Sequence, residues 1–204
     1  MLAGHFLPLE NIMALLIIGL VIFMGMHSAA LFAPAARDNL HKKLGAVAWR
    51  GLYSIVSIVG LVLIIMGYAD ARMNPVWLWM PPAGLRHMAL LLTLIAFILL
   101  TASYVPGNRI KSRLGHPMYA SVKVWALAHL LANGSLADVL LFGSFLAWAI
   151  AGFAISRRRD RAAGVTRPAG SIKGDIITVI AGVVSWAVFA MFLHTVLIGV
   201  SPMP

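Results

Sequence analysis

Cysteine is absent from the 204 residues. That excludes disulfide frameworks, zinc fingers, Cys-ligated iron–sulfur clusters and thiol nucleophiles together. Charge is scarce as well: 11% of residues are charged, against about 25% in an ordinary globular chain. Acidic residues are rarest, six Asp and Glu against sixteen Lys and Arg, for a net charge of +10. What fills the chain is apolar, 61% by count, with a mean hydropathy of +0.93. In a soluble protein this basic excess would suggest a nucleic-acid partner. Here the charges fall between long apolar runs, so they speak of membrane topology, and no nucleic-acid role is expected.

Six apolar runs can be marked, near 11–33, 51–69, 85–105, 117–132, 136–155 and 176–200. A helix crossing the roughly 30 Å hydrocarbon core needs about 20 apolar residues. Five runs meet that length, and the fourth is shorter, opening on Pro117 as its first helical residue. Asn133-Gly134-Ser135 joins runs four and five as a tight hairpin, with Gly134 closing one helix. Ser135 and Asp138 then form a capping box for the next. The expected fold is all-α, one transmembrane domain over residues 1–204 with six spanning helices. Fourteen of the sixteen basic residues lie in alternate connections, near 34–50, 106–123 and 156–175. The positive-inside rule makes those connections cytoplasmic and puts both termini outside, in the periplasm. Glu10 precedes the first run where a signal peptide would carry Lys or Arg, so that run is expected to stay as an uncleaved span. The Gly- and Pro-containing stretch 156–175 reads as a mobile loop.

The spans hold almost no carboxylates: Glu10, Asp70, Asp138 and Asp175 fall at span ends. That weighs against a proton- or sodium-coupled transporter, because an ionisable group inside a membrane is where such coupling resides. Histidine is what remains. His5, His41 and His87 lie at or outside the span ends, His116 heads run four, and His27, His129 and His194 lie inside runs. Two imidazoles from different helices facing a common gap are the ligand set of a b-type haem in a bundle. At 1.5 Å per residue, His27 matches either His129 or His116 in depth, whereas His194 belongs near the opposite boundary. Gly19, Phe23 and His27 share one stripe, as do Ser121, Trp125 and His129, walls that suit a flat macrocycle. The plainer reading is that each His bonds a neighbouring carbonyl and the small residues pack helices; it suits His194 well. Lys123 either snorkels to the surface or neutralises a haem propionate or substrate anion. Ser54, Ser57 and Gly60 read as a packing stripe, and Trp77 and Trp79 as an interfacial anchor. Arg157, Arg158, Arg159 and Arg161 read as a stop-transfer cluster favouring anionic lipid.

Three stretches carry a family resemblance: Met26-His27-Ser28, Arg50-Gly51-Leu52-Tyr53-Ser54, and the block PGNRIKSRLGHPMYASVKVWALAHLLANGSLADVLLFGSFLAW from Pro106 to Trp148. The chain closely resembles the NnrU family of bacterial inner-membrane proteins, whose name comes from an association with nitrite and nitric oxide respiration in denitrifiers. A related enzyme is the zeta-carotene isomerase of plants and cyanobacteria, a haem b protein whose histidine ligation changes with redox state. The resemblance implies haem b with His27 and His129 as axial ligands and His116 as alternative ligand or supporting partner. Trp125 and Lys123 would then stand beside the cofactor. It implies a multi-pass inner-membrane protein serving redox chemistry or isomerisation of a hydrophobic small molecule in the bilayer. The alternative function is a non-catalytic accessory or assembly protein, and after it a small-solute transporter. A more distant likeness to isoprenylcysteine methyltransferases rests on the His-Pro element alone, without their cofactor-binding segment.

Overall fold

The computed structural model describes residues 9–203, with side chains from residue 13 onward; His5 and the Glu10 side chain lie outside that range. The described residues are helical with no β-strand. In order, the helices are α1 (Leu9–Phe32), α2 (Pro34–Met73), α3 (Ala83–Tyr104), α4 (Arg109–Leu114), α5 (Pro117–Ala132), α6 (Leu136–Ala162), α7 (Ile172–Val188) and α8 (His194–Ile198). A π-helical turn, Phe189–Leu193, links α7 to α8. All six apolar runs are therefore helical. Five helices are long and apolar enough to cross a membrane: α1, α2, α3, α6 and the α7–α8 rod. Helix α5 has 16 residues, a length of about 24 Å, so it falls short of the expected sixth span. Along these helices the large apolar side chains face outward: Val21 is 67% exposed, Ile55 63% and Val196 78%. In water that surface would drive aggregation; against lipid tails it is the ordinary exterior of a bundle.

The helices belong to two compact units, Met1–Leu78 with Ser135–Ser144, and Trp79–Gly134 with Phe145–Pro204. In the first, α1 lies against α2 through glycines. A Cβ on Gly19 would meet the Ile64 amide at 2.6 Å, and one on Gly60 the Phe23 amide at 2.8 Å. One on Gly67 would strike the Leu16 backbone. With no hydrophobic drive between helices in lipid, close backbone approach at small residues is what holds such a pair. Gly19 is thus a packing residue toward α2 and no wall for a macrocycle. Gly67→Ala is expected to cost about 1–3 kcal/mol by overpacking. Gly25 has open space around its Cα, so Gly25→Ala should be neutral or stabilising by up to about 1 kcal/mol. Thermal unfolding of the two variants in detergent checks the contrast.

The first basic connection, 34–50, is helical rather than a loop. Pro34 starts α2, and Ala, Arg, Leu and Lys carry the helix to Gly45, where φ 79° and ψ 164° break its direction. At the end of this unit the capping box forms as expected. Ser135 N and Oγ donate to Asp138 Oδ2 at 2.9 and 2.6 Å, and Asp138 N returns to Ser135 Oγ at 3.2 Å. Tyr68 Oη closes the node, donating to Asp138 Oδ1 at 2.6 Å.

In the second unit, α3 packs on α5 and α7. Ser121 Oγ donates to Ala96 O at 2.7 Å, and Trp186 Nε1 to Thr93 Oγ1 at 3.1 Å. Gly182 lets α7 close on Ile98. Helix α5 ends at Ala132 with Asn133 extended as its C-cap. Gly134 is not in the left-handed conformation expected of a helix-closing glycine. Its missing Cβ instead leaves room for the Trp79 carbonyl, and Trp79 N donates to Gly134 O at 3.2 Å. Helix α6 runs through the arginine cluster to Ala162, because Arg is a good helix former. The connection expected to be mobile therefore starts seven residues later, and its far end is tied. Ser171 N donates to Gly107 O at 2.8 Å, and Arg109 N to Asp175 Oδ1 at 2.6 Å.

Candidate functional site

His27 stands in the penultimate turn of α1. Its Nδ1 lies 2.8 Å from Phe23 O. A carbonyl only accepts, so Nδ1 carries the proton and Nε2 the lone pair. The ring stacks on Phe23, centroids 4.1 Å apart, and faces Tyr53 at 5.3 Å. Around it opens a cavity of about 450 Å³, lined by His27, Arg37, Trp49, Arg50, Tyr53 and Ser54 among others. Arg50, Tyr53 and Ser54 stand at i, i+3 and i+4 and so share one face of α2. The volume lies in the usual range of ligand cavities, about 300–1,000 Å³.

His129 belongs to the second unit and is built the same way. Its Nδ1 lies 2.8 Å from Trp125 O, which again fixes the proton on Nδ1 and the lone pair on Nε2. Trp125 is its ring neighbour at 4.9 Å and also meets Phe145 edge-on at 5.5 Å. Ser121, on the same stripe, is spent on α3. His129 lines a cavity of about 240 Å³ with Arg86, Thr93, Asn133, His194 and Ser201. The expectation that His194 bonds a neighbouring carbonyl is met. The π turn before it, closed by His194 N on Phe189 O, brings it to the cavity of His129. There its Nδ1 lies 2.6 Å from Val200 O, so His27, His129 and His194 each carry a proton on Nδ1.

His116 caps α5 and is differently committed. Its Nε2 lies 2.6 Å from Asp160 Oδ2, which Arg167 also binds. His116 and His129 are thirteen residues apart on one rod, about 20 Å, too far to share an iron. Lys123 Nζ sits 3.8 Å from the Phe153 ring centroid, a cation–π contact that neither sequence reading anticipated. Among the described residues no three His, Asp or Glu side chains converge as metal ligands. A bare ion such as zinc asks the protein for three or four ligands. A haem brings its own ring of nitrogens and asks only for axial ones. The donor set here, single imidazoles with Nε2 lone pairs beside aromatic rings, therefore fits a haem better than a bare ion.

The residues that sequence reasoning missed are Arg37, Trp49 and Arg50 beside His27, and His194 beside His129. The RGLYS stretch was a signal for the first group, but nothing local tied it to His27.

A family model described as "NnrU protein" matches residues 15–202, nearly the whole chain. No curated protein and no solved structure matches it.

Proposed function

Because the chain belongs to the NnrU family, we propose that it is an integral membrane haem b protein, acting in redox or isomerisation chemistry on a hydrophobic molecule drawn from the bilayer. The observation that carries this reading is the His27 cavity, an imidazole with its Nε2 lone pair set between aromatic rings and two arginines. When bound, haem would supply a redox couple and a Lewis acid. The rest is the work of this chain. The Phe23 carbonyl fixes the His27 tautomer and ring plane, which is how a supporting hydrogen bond raises ligand basicity. Arg50 offers charge to propionates; Arg37, ion-paired with Asp38 at 2.8 Å, and Lys123, engaged with Phe153, are the weaker candidates for that task. Tyr53 and Trp49 wall the cavity, and Ser54 offers a hydroxyl. By the family resemblance His129, in the same tautomer, would be the other histidine to hold the haem, with Trp125 orienting its ring. The proposal keeps six helical passes with both termini periplasmic, α5 being the shortest, in the bacterial inner membrane.

The test is a visible spectrum of purified protein, oxidised and dithionite-reduced. Haem between two imidazoles gives a Soret band with resolved α and β bands on reduction. A haem-supplemented preparation that stays colourless would sink the proposal and leave the non-catalytic accessory role.

A further inference from the structure

The C-terminal ends of α4 and α6, with the segment that follows α6, enclose a cavity of about 230 Å³. Four guanidinium groups line it, those of Arg113, Arg157, Arg161 and Arg167, against the single carboxylate of Asp160. Arginine does not lose its charge in proteins, so three positive charges stand unbalanced in one small concavity. Arginines in the last turn of a helix ordinarily answer the helix dipole, and that explains Arg161. It does not explain Arg167, which lies beyond the end of α6.

Arg167 is held in place on two sides. Its guanidinium bonds Asp160 Oδ2. It also rests against Gly115, where a Cβ would come 2.9 Å from Arg167 Cζ and where φ is +79°. Asp160 is in turn fixed by His116 Nε2 at 2.6 Å. Arg157 is steadied by Leu114 O at 3.4 Å and lies 5.7 Å from the Phe153 ring centroid. Arg167 is thus anchored and Arg157 lightly held, while Arg113 and Arg161, exposed like Arg157, stand at the rim. Planar forks of N–H donors converging from several sides match the oxygens of a phosphate group, which they bind bidentately. The cavity also sits where the apolar residues of α6 give way to arginine, the level at which head groups lie.

We infer that this cavity binds a phosphate group, carried by an anionic phospholipid or by a free phosphate compound. The site is independent of the haem proposal, since it shares no residue with the His27 cavity. The experiment follows thermal unfolding of the full-length protein in neutral detergent, with phosphatidylglycerol, phosphatidylcholine of the same chains, or inorganic phosphate against chloride at equal ionic strength. Phosphatidylglycerol or phosphate should raise Tm where phosphatidylcholine and chloride do not. Protection by the lipid alone identifies a head group, and equal protection by inorganic phosphate identifies a free phosphate. The double variant Arg113→Gln/Arg161→Gln, altered only at the rim, should need about tenfold more ligand for the same shift. Arg158→Gln removes an equal charge per site from the same helix outside the cavity and should change that concentration less than about twofold. If neither anion protects, or if Arg158→Gln weakens protection as much as the rim variant, the cluster is only a charged helix end and the inference fails.

Discussion

Replacing His27 with alanine is expected to abolish the resolved α and β bands of reduced protein and to lower haem retention by more than 100-fold. The magnitude follows from what is removed. Losing the hydrogen-bond partner of a metal ligand costs about 10–100-fold in affinity, and losing the ligand itself must exceed that. The substitution should spare the fold. His27 is only part-buried, and its Nδ1 bonds Phe23 O within α1, so alanine leaves that carbonyl without this bond. Added imidazole should enter the vacated space beside Phe23 and Tyr53 and restore much of the spectrum. His87→Ala, at an exposed position outside the cavities, serves as the control for expression and folding. Retention of both bands in His27→Ala would remove His27 from the ligand set. The same measurement on His129→Ala decides whether that imidazole is the second ligand.

The second large effect concerns stability. Asp138 is 5% exposed and accepts from Tyr68 Oη, Ser135 N and Ser135 Oγ. Asp138→Ala leaves three donors unpaired around a buried space. At about 1–3 kcal/mol for each unsatisfied buried group, the expected loss is about 3–5 kcal/mol once partial relaxation toward water is allowed. Asp138→Asn keeps one accepting oxygen and should lose roughly half as much. Tyr68→Phe removes one donor together with its own desolvation cost and should lose about 1 kcal/mol. Denaturant or thermal unfolding in detergent ranks the three. An Asp138→Ala loss no larger than that of Tyr68→Phe would show that the node carries no more than one ordinary hydrogen bond.

Features written in a few neighbouring residues were legible in the sequence. The Ser135–Asp138 box and the Pro117 start are local patterns, and both formed as read. So did all six helices, because apolar runs of that length leave the backbone no other way to satisfy itself in lipid. Charge misled where it was taken for loop. Arg and Lys stop an apolar run but favour helix, so 34–44 and 156–162 stayed helical until Gly45 and Gly164 broke them. Gly134 was correctly singled out for the wrong reason: the turn accounts for a glycine locally, but the carbonyl of Trp79 accounts for it in space. The site was legible as a list of imidazoles and illegible as places. Nothing near His27 announces Arg37 or Arg50, since their meeting depends on how α1 and α2 pack. The pairing of His194 with His129 depends on the π turn, for which the residues Phe189–Leu193 give no local signal.

That π turn has a further consequence for how the 240 Å³ cavity was acquired. A π turn is an α-helix with one residue inserted, and each residue of a helix turns the chain by about 100°. Winding the same five residues, Phe189–Leu193, as regular α-helix would tighten this turn and swing the whole α8 segment round by roughly that amount, carrying His194 away from His129. The second imidazole of the cavity is therefore set by the winding of this one turn, without any change to α3 or α5.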